Sequence, residues 1–328
     1  VLSGLPLGAW TITQSSTAGS VDIPGTGISY TVSNLSSGTY QFLVKIGNCT
    51  SNLTNNVTIN DFSSTTYNGT WSNGLPDATK NVTFASAFPI TADLNACSCT
   101  INSGVSMTVP SGRTLNITNA LTVLGTGSLI FDNNASLVQG SATTVSSNVG
   151  NITYKRNTVA VRRYDFTYWS SPVSGFTLHD LSPGTAANMY QSYDPFSGWV
   201  SHMNGAAVMT PGIGYIVRAS ESNSLTVGSV HSASFVGVPN NGDVNMKPIP
   251  AKWNLVGNPY PSALDATKFI QANTAGPNPT IVGTVYFWTH NTAPAVTDPT
   301  KPNIYAYTSN DYAVFNLSGS VATREAIS

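Results

Sequence analysis

Between residues 105 and 131, apolar side chains recur at every second position in runs too short for anything but strands. Val105-Met107-Val109, Leu115-Ile117, Leu121-Val123 and Leu129-Phe131 follow one another in this way. Ser103-Gly104, Ser111-Gly112, Gly125-Thr126-Gly127 and Asn133-Asn134 punctuate them, and these residue types turn a chain sharply. Alternation at period two buries one face of a strand. No segment between the runs is long enough for a helical crossover. Short strands joined by tight turns predict a β-solenoid over residues 61–150, each coil covering the apolar face of the next. A second β-sandwich is the alternative for this stretch.

The flanks keep the same period with longer runs. In residues 1–60, Trp10 and Ile12 alternate with polar neighbours. Ile28, Tyr30 and Val32 share a face, and Tyr40, Phe42, Val44 and Ile46 follow the Ser37-Gly38 turn. This is the pattern of a sandwich with one solvated face. An immunoglobulin-like sandwich has about seven strands; only four or five are legible here, so the module is expected to be incomplete, with a strand edge left open. Residues 151–328 hold strand candidates at Asn151–Lys155, Arg163–Trp169, Gly214–Val217, Ser234–Val238, Trp253–Val256, Thr284–Trp288 and Asn303–Tyr307. The helical candidate is Ala263–Gln271, with Asp265 near its start. An antiparallel sandwich or jelly-roll-like domain is expected there. Only 8% of the residues are charged, against about 25% in an average soluble domain. Ser, Thr, Asn and Gly take their place, as suits strands and turns better than helices. The fold class expected is all-β.

The net charge of −1 removes a general electrostatic case for nucleic acid or an anionic membrane surface. No run approaches the ~18 apolar residues of a membrane span. The opening VLSGLP carries no initiator Met, as in a processed form or a fragment. Cys49, Cys97 and Cys99 are too few for a disulfide scaffold. A Cys97–Cys99 bridge would be strained, so the options are a bridge from Cys49 to one of them, three free thiols, or a partner for Cys49 outside this sequence.

Catalytic patterns are thin. A glycosidase commonly places two carboxylates across the scissile bond, and the two glutamates, Glu221 and Glu325, sit in polar loop contexts. His179, His202, His231 and His290 lie in separate segments, with no H-E-x-x-H and no G-x-S-x-G. His179-Asp180 reads as a loop or edge pair. Cys97-x-Cys99 lacks the spacing of a zinc site. Asp132-Asn133-Asn134 and Asn240-Asn241-Gly242-Asp243 offer oxygens to Ca²⁺ but miss the calcium-loop pattern, and turn formation explains them better. No cofactor is expected. Lys155, Arg156, Arg162 and Arg163 could form an anion or acidic-glycan site; pairing with Asp165 and Asp180 and protection of a sheet edge is the plainer reading. Tyr190, Tyr193 and Trp199, with Phe196, are candidate glycan contacts if their rings are exposed, and core or loop-pinning residues otherwise.

Three stretches carry a resemblance. Leu5-Pro6-Leu7-Gly8-Ala9-Trp10-Thr11-Ile12, continuing through Gly38-Thr39-Tyr40 to Gly47-Asn48-Cys49-Thr50, resembles a repeated sandwich module of giant Bacteroidetes surface proteins. Asn134-Ala135-Ser136-Leu137-Val138-Gln139 resembles the end of a solenoid-like run in the same proteins. Tyr154-Lys155-Arg156, Phe166-Thr167-Tyr168-Trp169-Ser170-Ser171-Pro172-Val173-Ser174-Gly175 and Gly257-Asn258-Pro259-Tyr260-Pro261-Ser262 are together similar to the region preceding the C-terminal sorting domain of proteins exported by the type IX secretion system of gliding flavobacteria. The resemblance implies export to the cell surface, extracellular localisation and a non-enzymatic role in adhesion or gliding-associated attachment. It supplies no catalytic residues. Within it, a cysteine preceding the first strand would be the partner of Cys49, and the sorting domain itself is not seen before Ser328, as in a chain truncated at that end. The partners expected are surface glycans or a substratum. The alternatives are a filament subunit, polymerising through strand addition at the open first module, and a carbohydrate-binding module of a larger secreted protein.

Overall fold

The computed structural model describes residues 1–33, 35, 38–59, 63–140, 147–277, 279–289, 295–296, 305–306 and 311–321. The chain is all-β, with strands grouped in several sheets and only short helices among the described residues. It divides into two compact units, Val1–Ser64 and Thr65–Ser328.

In the first unit Ala9–Ser16 is central. It pairs antiparallel with Gly19–Thr26 on one side and Gly38–Ile46 on the other. Cys49–Thr50 and Val57–Ile59 extend the far edge of Gly38–Ile46. Pro24 lies in the outer strand Gly19–Thr26, where a missing N–H costs no ladder bond. The inward positions Trp10, Ile12, Tyr40 and Phe42 form the core with Leu5. Tyr30, Val32 and Val44 pack on it half-buried, whereas Ile28 and Ile46 are exposed. Among the described residues the unit's other sheet is Leu2–Ser3 paired with Ser29–Tyr30.

The second unit begins with a parallel coil. Asn81–Phe84, Ser98–Ile101 and Leu121–Val123 stack in one sheet. Leu94–Ala96, Thr114–Ile117 and Ser136–Gln139 make another, and Ser106–Val109 lies on Ser128–Phe131 in a third. Register fixes a step of 22 residues between the later coils, Cys99 over Leu121, Met107 over Leu129 and Leu115 over Leu137. Each inward residue therefore meets its counterpart one coil away, and Ile101, Val109, Leu121 and Phe131 are fully buried. The turns need left-handed backbone, supplied by Gly125 (φ 51°) and by Asn134 (φ 65°), the commonest non-glycine choice.

The boundary expected near residue 150 falls inside this unit. Ile152–Val161 adds in parallel to Ser128–Phe131 and pairs antiparallel along its other edge with Ser229–Gly237. One strand thus closes the solenoid sheet and opens the antiparallel part. The hydrophobic core runs without a break from Val82 through Leu137 and Tyr154 to Phe235. Beyond it, Phe166–Trp169, Tyr215–Arg218, Tyr190–Asp194 and Gly198–Ser201 form an antiparallel sheet in that order. A second antiparallel sheet holds Thr284–Trp288, Tyr312–Asn316 and Gly319–Val321. The two meet through rings, Tyr168 stacked on Trp288 at 5.7 Å with Tyr312 edge-on to both.

The helix expected at Ala263–Gln271 forms as Ala266–Thr274, capped by Asp265 accepting from the Lys268 N–H. Trp253–Val256 is not a strand; Val256 only bridges to Ile213. Of the expected Asn303–Tyr307 strand, Tyr305–Ala306 is described. Replacing Leu121, with no exposed surface, by Ala should destabilise the second unit by about 2–5 kcal/mol. Leu124→Ala, at a position 41% exposed, should stay within about 0.5 kcal/mol; urea unfolding followed by tryptophan fluorescence compares them.

Candidate functional site

Three segments, the last of them more than eighty residues beyond the other two, close around one cavity. Tyr154 and Arg156, Tyr168 through Ser170 with Pro172, and Gly257, Asn258, Tyr260 and Ser262 line it, with a volume of about 260 Å³. Phe235, Gly214, Leu255 and Val256 complete the wall.

The floor comes from the strand that leaves the solenoid. Ile152, Tyr154 and Arg156 share its inward face. Ile152 and Tyr154 are buried, Tyr154 lying beside Phe131. Arg156 is half-buried opposite Ala233, itself buried. The Arg156 guanidinium lies over the Tyr154 ring, 4.2 Å from its centroid. It donates to the Tyr154 hydroxyl and to the carbonyls of Ala135 (3.1 Å) and Lys155 (3.2 Å). Burial pushes the Tyr154 phenol up to about 12, with Arg156 pulling it back only in part.

The roof is the loop 257–262, which holds itself together. Asn258 donates its amide to the Ser262 carbonyl (2.6 Å) and accepts from the Tyr260 N–H (3.0 Å). The Leu137 N–H donates to the Pro261 carbonyl at 2.7 Å, docking the loop on the last solenoid coil. Asn240 ties it to the third segment, donating to the carbonyls of Ser171 and Pro259. Gly257 is required by space, because a Cβ there would lie 2.3 Å from the Ser170 Cβ. The Ser170 Oγ is buried without a hydrogen-bond partner.

A ring surface lies beside the cavity. Tyr190–Asp194 and Gly198–Ser201 form a hairpin where the sequence suggests loops. Its tip is set by Asp194, whose carboxylate accepts from the N–H groups of Ser197 and Phe196 and from the Ser197 hydroxyl. Those bonds lower its pKa. The tip presents Phe196, 73% exposed, with Trp199 at 44%. Trp199 contacts Tyr193 at 5.1 Å and Tyr168, a cavity residue, at 6.2 Å. Tyr190 does not belong to this surface. It is three residues from Tyr193 on one strand and so faces the other way, 1% exposed, with its hydroxyl donating to the Ser182 carbonyl. A glycan contact by Tyr190 is thereby corrected to a core position.

The other candidates separate. All three cysteines are free thiols, Cys49 exposed and Cys97 and Cys99 buried, which corrects a bridge among them. Burial raises the Cys99 thiol to about 12. Arg162 pairs with Asp165 at 3.2 Å and Lys155 with Asp132 at 3.0 Å. Asp180 pairs with neither; it completes a capping box with Thr177 on the short helix Leu178–Leu181 that also carries His179. Glu221 is engaged by Arg218. His231 contacts the Leu181 carbonyl, and His202 meets Ser192 at 2.8 Å, a pair that sequence spacing did not disclose. Glu325 and His290 lie outside the described residues. Of the two Asx turns, Asp132 is committed to Lys155, and Asn133 accepts from the Asn157 N–H. Among the described residues, no three His, Cys, Asp or Glu side chains cluster as for a metal, and no helix is long and apolar enough to cross a membrane.

The second unit defines a class of all-β protein in which a parallel coil passes directly into antiparallel sheets. The chain belongs to the family described as a domain of unknown function (DUF8693), whose model matches residues 60–328. No curated protein and no solved structure matches it.

The cavity makes a measurable prediction at high pH. Unfolded, Tyr154 releases its proton near the ordinary 10; folded, it holds it to about 12. The stabilisation is complete below the first value and is lost as pH rises through the second. Tyr154→Phe should therefore show a shallower loss of stability between pH 10 and 12 than the parent chain in parallel urea titrations.

Proposed function

We propose that the protein is an extracellular, cell-surface attachment protein, non-enzymatic, that holds carbohydrate of a substratum or of another surface. Gliding-associated attachment fits this reading. The observation that carries it is the hairpin tip with Tyr193, Phe196 and Trp199. Rings are held at the outer face of a sheet whose inner face, with Tyr190, Tyr215 and Val217, is part of the core. A rigid, partly exposed aromatic surface suits the apolar faces of sugar rings and loses little conformational freedom on binding. The low charge supports the same reading, since recognition by general electrostatics has little to draw on. A carbohydrate-binding module of a larger secreted protein would use the same surface.

The test is retention of the purified chain on immobilised polysaccharides, compared with Trp199→Ala. Retention that falls by about tenfold or more in the variant, roughly the loss of one good stacking contact, supports the reading. Equal retention of both, or none on any polysaccharide, overturns it.

The first unit favours a second reading, a filament subunit joined by strand addition. Its smaller sheet has two residues in each strand, and both outer edges are unpaired among the described residues. Such edges accept a further strand. Fibres in electron micrographs of concentrated protein, abolished by Tyr30→Pro, are the expected outcome; a monodisperse monomer at high concentration excludes it.

A further inference from the structure

An inward-facing strand position that follows Ile152 and Tyr154 calls for a third apolar residue, and Arg156 stands there instead. Local rules are broken in this way most often where a site needs the residue. Other arginines of the same unit show the contrast. Arg162 and Arg218 have carboxylates, Arg163 donates to the Asn223 carbonyl, and the half-buried Arg156 has no carboxylate among the described residues. Its bonds all go to neutral oxygens. A partly desolvated cation served only by neutral acceptors lacks the partner that usually compensates burial. A guanidinium has five N–H donors, and the three bonds leave it able to donate further.

The same cavity contains the buried, unpartnered Ser170 hydroxyl. The wall between these polar groups is aromatic, made of Tyr154, Tyr168, Trp169, Phe235 and Tyr260. A volume of about 260 Å³ equals the liquid share of roughly nine waters, room for one monosaccharide-sized group. A cation with unused donors, an unsatisfied hydroxyl and ring faces together fit a sugar that carries a carboxylate.

We propose that this cavity binds a single uronate residue, its carboxylate on Arg156 and its ring against the aromatic wall. The inference deepens the attachment reading and rests on it for the sugar, but it uses residues other than the hairpin tip. The carboxylate accepts from Arg156; Ser170 donates to a ligand oxygen; the aromatic wall covers the C–H face of the pyranose. A neutral hexose lacks the group that meets the guanidinium.

Titration of the whole chain by calorimetry, with D-galacturonate, D-galactose and acetate in parallel, tests it. Galacturonate is expected to bind at least about tenfold more tightly than either galactose or acetate. Arg156→Gln should reduce galacturonate to the galactose level. Arg156→Lys, a point charge without the planar fork, should fall between. Leu124→Ala, exposed on the solenoid and not part of the cavity lining, should leave galacturonate binding unchanged. Equal affinity for galactose and galacturonate overturns the carboxylate, and equal affinity for acetate overturns the sugar. Should Arg156→Gln not fold, Ser170→Ala gives the second variant, with a few-fold loss expected and no change counting against the cavity. Oligogalacturonate separates a free ligand from a polymer: binding only of the monomer would exclude a role in holding a polysaccharide. Retention on neutral polysaccharide, lost in Trp199→Ala with galacturonate inert, would leave the attachment reading standing and remove the cavity from it.

Discussion

The second unit depends on in-register parallel stacking of apolar side chains. No coil of three short strands can bury its own inner face; each relies on the next to cover it. Leu121 is fully buried because Cys99 lies one step away, and Phe131 because Val109 does. The requirement does not end with the last coil, which would otherwise expose its inner residues and an unpaired edge. Ile152–Val161 meets it by pairing with the coil on one side and with Ser229–Gly237 on the other. The antiparallel part is therefore built on the solenoid rather than appended to it. The Leu137–Pro261 and Asn148–Pro239 bonds tie later loops to the same end.

Much of this architecture is legible in the residues because period two is a strong signal. The alternation of Leu115-Ile117, Leu121-Val123 and Leu129-Phe131 identifies both strands and inward faces, and those residues are buried. The coil step was obscured by unequal steps at the ends. Val82 to Cys99 is 17 residues, Leu94 to Leu115 is 21 and Phe131 to Tyr154 is 23, around a step of 22 in the other pairs. A boundary at 150 is plausible from composition, since aromatics and longer loops begin there. What crosses it is hydrogen bonding along one strand, which composition does not register. Tyr190 shows the reverse error. Read as a loop, Tyr190 and Tyr193 could share a surface; once the stretch is a strand, three-residue spacing assigns them to opposite faces.

The cavity was beyond reach of sequence for another reason. Its three segments are distinguishable individually, and nothing in any of them indicates that they meet. Closure depends on contacts at long separation, such as Asn240 with Ser171 and Pro259, and on the absence of a side chain at Gly257 where Ser170 approaches. Of the pairings expected for the four-cation cluster, Asp165 takes Arg162, whereas Lys155 pairs with Asp132 instead and Asp180 caps a helix. Arg156 departs because strand parity turns it inward while its neighbour Lys155 turns out to Asp132. One residue of shift separates a surface salt bridge from a half-buried charge with no carboxylate among the described residues.

Tyr168 connects the two surfaces on which a ligand would bear. Its ring stacks on Trp288 and meets Trp199 edge-on, and the residue also lines the cavity. Its hydroxyl shares a 2.7 Å hydrogen bond with Tyr312, and burial raises its pKa. A ring held by packing on one side and by a hydrogen bond at its tip has little freedom to reorient. Ordering cost on binding is correspondingly small. Trp199 and the cavity wall then behave as parts of one preorganised surface whose geometry is inherited, through Phe166–Trp169 and the shared core, from the stacked coils. A change in the depth of the coil stack would not reach this surface by a flexible linker; it would pass through Tyr154, which belongs to both, and through the Leu137–Pro261 bond that docks the cavity loop on the last coil.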